Sequence, residues 1–168
     1  MADYLERMTT DSVLDILIYV FDRYMLEEAP DVPRREHLAR DLRRAGFAAD
    51  NVERALDWLT ELACGGEGAE AVHADAQPAG VRVFTDSECA RLSTECRGLL
   101  LRFERAHVLN ARQREIVIGR LLALETDEPD TEQLKWVVLM VLSSQPGHEQ
   151  AVERLGRLVL EARANAVH

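Results

Sequence analysis

Lysine is nearly absent from this chain. Lys135 is the only one, so arginine supplies all but one of the 20 basic side chains. Arginine brings a planar fork suited to carboxylate or phosphate. The skew runs over the whole chain, however, as a compositional bias of the coding sequence produces. Cysteine is also scarce: Cys64, Cys89 and Cys96 are odd in number and widely spaced, which excludes a disulfide framework. Long apolar runs are missing. The longest uninterrupted one, Trp136 to Leu142, falls far short of the ~20 residues needed to cross a bilayer. The opening stretch MADYLERMTT is not a cationic leader. Together these features predict a cytoplasmic protein with reduced thiols and no membrane association. Positive charge is short overall, since 20 basic against 30 acidic side chains give a net charge of −10 at pH 7. That balance argues against a generic nucleic-acid binder, which needs a basic face, and leaves room for a local basic patch.

What is present is a helical pattern. The 168 residues are 47% apolar, enough for a core without disulfide or metal support. Thr10 or Asp11 is placed to cap a helix through DSVLDILIYVFDRYMLEE, whose apolar residues cover nearly every face. Pro30 and Pro33 end it. A second helix, RREHLARDLRRA, carries Leu38 and Leu42, and Gly46 supplies a left-handed cap. A third, NVERALDWLTELA, has a stripe of Val52, Ala55, Leu56, Leu59 and Leu62 with Trp58 on its flank, and Gly65-Gly66 stop it.

Residues 65–80 are small, polar and turn-rich, the best linker in the chain. A short strand near Ala71–Ala74 and the run VRVFT would form a β-hairpin. Thr85 and Glu88 have capping-box spacing and open a long helix with a heptad seam of Cys89, Leu92, Cys96, Leu99, Phe103 and Ala106. Three further helices follow: ARQREIVIGRLLALE after Asn110, LKWVVLMVLSS capped by Asp130 or Thr131, and EQAVERLGRLVLEAR. The expected fold is mainly α. A three-helix unit over 10–64, winged-helix-like with its candidate hairpin over 65–85, precedes an antiparallel four-helix unit over 86–165. One compact domain is the alternative.

Several stretches together resemble the Smg family of small bacterial proteins. They are ILIYVFDRY, DLRRAGF and ALDWL in the first half, then RVFTDSECARLSTECRGLLL, VLNARQREIVIGRLLAL and LKWVVLMVL in the second. The resemblance spans residues 12–147, with departures in residues 1–10, the linker and the last 20 residues. It implies no activity and no site residue. Genes of the family often lie near those of a DNA-processing protein and a topoisomerase-related protein, an association that gives no residue a role.

Catalytic and metal chemistry find little support. On one continuous helix Cys89 and Cys96 share a face about 10 Å apart along the axis. Zinc–sulfur bonds of about 2.3 Å exclude their sharing one ion. They read as small core hydrophobes. His37, His73, His107, His148 and His168 are scattered, and none sits in a metal or nucleophile motif. Gly65-Gly66-Glu67-Gly68 lacks the lysine of a phosphate loop. The acidic run Glu125, Asp127, Glu128, Asp130, Glu132 lacks the ligand order of a calcium loop. No enzyme, metal or cofactor is expected.

Two basic stretches remain. One holds Arg34, Arg35, Arg40, Arg43 and Arg44 against Glu36 and Asp41. The other holds Arg97, Arg102, Arg105, Arg112, Arg114 and Arg120 against Glu104 and Glu115. Either they form a patch for nucleic acid or an acidic partner, or they are ordinary solvated faces with local ion pairs. In a winged helix the third helix would read the major groove, yet Asp50, Glu53, Asp57 and Glu61 outweigh Arg54 on it and repel phosphate. The LRRAGF turn before ALDWL is similar to a ubiquitin-associated fold, whose Gly-Phe loop binds partners. That similarity marks Gly46 and Phe47 as a protein-contact loop; the alternative is a helix cap and a staple onto the next helix. The leading expectation is a non-enzymatic adaptor or regulator working through protein contacts. The runner-up is a nucleic-acid-binding accessory factor.

Overall fold

The computed structural model describes residues 12–24, 33–68, 82–124, 126 and 128–145. The described residues form seven helices and no strand. They are α1 (Val13–Tyr24), α2 (Arg35–Arg44), α3 (Ala49–Gly68), α4 (Asp86–Arg91), α5 (Thr94–Arg105), α6 (Ala111–Leu122) and α7 (Thr131–Ser143). The chain divides into two compact units, Met1–Ala63 and Cys64–His168.

In the first unit α1 is the central element. Leu14, Ile16, Leu17, Ile18, Val20 and Phe21 are all buried; Val13, Tyr19 and Tyr24 are half-buried, and Asp22 and Arg23 are the exposed residues of the helix. Its start differs from expectation. Ser12 is the cap: the Asp15 N–H donates to Ser12 Oγ at 3.1 Å, and the Ser12 N–H donates to Asp15 Oδ2 at 3.3 Å. This reciprocal pair explains how the Asp15 carboxylate tolerates burial. Thr10, Asp11 and the expected extension of the helix past Tyr24 lie outside the described residues.

The second helix buries Leu38, Ala39 and Leu42. It ends in a Schellman turn. Gly46 has φ of 101°, its N–H donates to Arg43 O at 3.1 Å, and the Phe47 N–H donates to Leu42 O at 3.2 Å. Phe47 is buried, and its ring meets Tyr19 edge-on at 5.4 Å.

In α3 the buried face is Val52, Ala55, Leu56, Trp58 and Leu62. Trp58 takes the core place expected for Leu59, which is only half-buried; the larger ring removes more apolar area from water. Nor do Gly65 and Gly66 stop this helix, which continues to Gly68. A glycine ends a helix only where it takes a left-handed conformation; in helical φ/ψ it merely weakens it.

The second unit corrects two further expectations. Residues 69–81 of the candidate hairpin lie outside the described residues, while Arg82–Thr85 are described and form no strand. The long helix after Thr85 is two helices. Leu92 and Ser93 turn extended (ψ 117° and 157°), and Ser93 Oγ accepts the Cys96 N–H at 3.2 Å, capping α5 anew. The break resets the helical phase. Leu92, Cys96, Leu100 and Phe103 are buried, whereas Cys89 and Ala106 are exposed and Leu99 is half-buried.

At the other end of α5, His107 takes the left-handed conformation at φ 54°. Its N–H donates to Glu104 O at 3.0 Å and the Val108 N–H to Phe103 O at 2.9 Å, a Schellman turn without glycine. Asn110 with Gln113 and Asp130 with Gln133 form capping boxes at the starts of α6 and α7. Helix α7 buries Leu134, Val137, Val138, Met140, Val141 and Leu142, and packs on both α5 and α6. The expected final helix, residues 149–163, lies outside the described residues. Among the described residues no helix is long and apolar enough to cross a membrane.

Candidate functional site

The basic helix α2 is positioned by its own ends. Glu36 sits in its first turn and Arg43 and Arg44 in its last, matching the helix dipole. Its inner face is fixed by Leu38, Ala39 and Leu42. Two arginines then reach across to α3. Arg35 Nη2 donates to Glu53 Oε2 at 3.0 Å and to Asp57 Oδ1 at 2.8 Å, while Nη1 donates to Thr60 Oγ1 at 3.4 Å. Arg43 Nη2 donates to Glu53 Oε1 at 2.6 Å. Glu53 is thus held by both ends of α2. These side chains are 44–65% exposed, so each pair adds little stability and mainly sets orientation.

The other three arginines of this stretch behave differently. Arg34, Arg40 and Arg44 are exposed and have no carboxylate partner among the described residues. A hollow of about 490 Å³ opens beside the helix, lined by Arg35, Glu36, Ala39, Arg40, Arg43 and Glu53. Of the loop residues, Gly46 is exposed and Phe47 is buried.

The second basic stretch is largely consumed within its own unit. Arg114 binds Glu104 and Glu115 with its side chain only 11% exposed. Arg97 donates to Thr94 Oγ1 at 3.1 Å and to Cys89 Sγ at 3.0 Å. Arg112 also has a polar or ionic partner. Arg102 and Arg105 stay exposed.

Among the described residues of this unit, a dense ion cluster forms around Arg82, which no motif in the sequence marks. Arg82 grips Glu88 through two bonds of 3.0 and 2.7 Å, and Glu115 through two bonds of 2.7 and 2.8 Å. Its guanidinium also covers the Phe84 ring at 4.6 Å. The Arg82 guanidinium and the Thr85 N–H hold the Glu88 carboxyl down to about 2, and Arg82 then Arg114 lower Glu115 as well. The signal for Arg82 in the sequence was slight: one arginine two positions before an aromatic and six before the capping glutamate.

The two thiols expected on one helix lie on different ones. Cys96 is buried and donates to Pro129 O at 3.2 Å, and burial pushes its thiol up. Cys89 is exposed. Among the described residues no group of three or more His, Cys, Asp or Glu is placed to hold a metal.

Comparison with known proteins adds an identity to this geometry. The family described as "Protein of unknown function (DUF494)" matches residues 13–168, and proteins named Smg match nearly the whole chain. The chain belongs to the Smg family. Protein Smg of Klebsiella pneumoniae (strain 342) is 42% identical over 157 residues, covering 93% of this chain and all of that protein. Protein Smg of Escherichia coli O7:K1 is 42% identical over the same coverage, and a Protein Smg homolog of Aeromonas hydrophila is 41% identical. The match extends through the last 20 residues, beyond the stretch the motifs alone delimited. No solved structure matches. Membership in the Smg family gives no residue a role.

Proposed function

We propose that this Smg-family protein is a non-enzymatic cytoplasmic adaptor or regulator, and that it works through protein–protein contact on the outer face of α2. One observation carries the reading. Arg35 and Arg43 are tied to the acids of α3, while Arg40 and Arg44 on the same helix, and Arg34 at its N-cap, are exposed without a carboxylate partner among the described residues. The tied pair holds the helix; the untied set is available to a partner. A winged-helix use of the unit is disfavoured by its charge. The helix that would enter a groove carries Asp50, Glu53 and Asp57 exposed, and phosphates would meet those carboxylates first.

The test is capture from the native host with the wild-type chain and with Arg40→Glu/Arg44→Glu. A single protein enriched in stoichiometric amount by the wild type and lost with the charge reversal supports the reading. Clean captures with both chains overturn it. Retention of duplex DNA or RNA at low salt, falling steeply as salt rises, would move the assignment to nucleic acid.

A further inference from the structure

The chemistry of the partner can be narrowed further, on the basis of the protein-contact reading. We propose that the partner segment is acidic, that it lies over the hollow beside α2, and that two of its carboxylates about 6 Å apart are held by Arg40 and Arg44.

The hollow is an open surface depression of about 490 Å³, with Ala39 as its apolar lining. Of its three arginines, Arg35 and Arg43 are already drawn onto Glu53. Arg40 is the lining cation with no carboxylate partner among the described residues. Its planar fork matches a carboxylate in two parallel hydrogen bonds. Arg44 stands one turn further along, about 6 Å by the helical rise. Glutamates four residues apart on a partner helix have the same spacing.

The surroundings favour a few discrete carboxylates over a polyanion. Glu36 and Glu53 line the same hollow, and Asp41 and Asp57 are exposed on the two helices that form it. Duplex DNA carries one charge about every 1.7 Å of axis and would lay several phosphates over these acids. A protein segment places its charges only at Arg40 and Arg44. The chain's net charge of −10 repels acidic partners at long range, so the contact is short-ranged and sensitive to salt.

The probe is a short alanine-rich helical peptide with two glutamates four residues apart, compared with its glutamine counterpart. Titration into the full chain at low salt is followed by the NMR signals of the arginine Nε–H groups. The glutamate peptide should give saturable shifts at Arg40 and Arg44, and the glutamine peptide none. Arg40→Glu/Arg44→Glu should weaken binding at least about tenfold. Arg102→Glu/Arg105→Glu changes the net charge equally from the second unit and should leave binding within about twofold. Circular dichroism and thermal melting confirm that both variants fold.

No saturable shift at low salt overturns the proposal. So does equal loss with the Arg102/Arg105 variant, or tighter Arg40-dependent binding of a short DNA duplex. A host partner captured by the wild type and lost with Arg40→Glu/Arg44→Glu, while the glutamate peptide gives no saturable shift, would defeat this proposal and leave the protein-contact reading standing; no captured partner, or one captured equally by both chains, would defeat that reading itself.

Discussion

The Arg82 guanidinium lies 4.6 Å from the centre of the Phe84 ring while its N–H groups are spent on Glu88 and Glu115. One side chain thus ties an extended stretch to the first turn of α4 and to α6. The Arg82 side chain is only 13% exposed, so these bonds are better shielded than ordinary surface pairs. Replacing Arg82 by Lys keeps the charge and loses the two-pronged geometry. The expected cost is about 1.5–3 kcal/mol, read as a lower urea midpoint with an unchanged slope. A variant as stable as the wild type would show that the cluster is decorative.

Acid should loosen the same cluster. The Glu88 carboxyl falls from 4.5 in the unfolded chain to about 2 when folded, mainly through Arg82. A depressed carboxylate contributes stability above its unfolded value and loses it as pH falls toward its folded value. The stability gap between wild type and Glu88→Gln should therefore be full at neutral pH and shrink between about pH 4.5 and pH 2. Denaturant titrations at several pH values check this. A gap independent of pH would contradict it.

Gly46 should resist replacement for backbone reasons alone. A Cβ at this position would meet nothing within 4 Å, yet φ is 101°, a conformation that side chains oppose. Gly46→Ala is expected to cost about 1–2 kcal/mol with no change in the fold. Thermal melting measures the loss.

Phe47 should behave as a core residue. It is buried against Tyr19, so Phe47→Ala is expected to cost about 3–5 kcal/mol. The measurement that separates packing from recognition is partner capture with Phe47→Leu. That variant keeps most of the apolar volume, and capture should survive. Loss of capture from a folded Phe47→Leu chain would return the contact surface to this loop.

The parts legible in the sequence were those set by local chemistry. Gly46 and the Thr85–Glu88 box act within four residues, so spacing alone located them; it also placed the start of α6 at Asn110 and narrowed the cap of α7 to Asp130 or Thr131. The parts that escaped depend on competition or on distance. Ser93 sits within a heptad pattern that was otherwise intact, and its hydroxyl won the Cys96 N–H from the continuing helix. Trp58 displaced Leu59 because ring size outweighs an ideal stripe. The basic stretches looked equivalent as charge counts. Only the fold revealed that Glu53, Glu104 and Glu115 neutralise some arginines and leave others free of carboxylate partners among the described residues. The Arg82 to Glu115 pairing joins residues 33 apart, which no local pattern encodes.

The three thiols are unequal, and that inequality is useful. Cys96 is sealed beneath the Pro129 carbonyl, whereas Cys64 and Cys89 face water. A maleimide dye or spin label should therefore attach at two sites in the folded protein and reach the third only on unfolding. With either exposed cysteine changed to serine, the native sequence becomes a singly addressable scaffold for fluorescence or paramagnetic distance work, with no residue added.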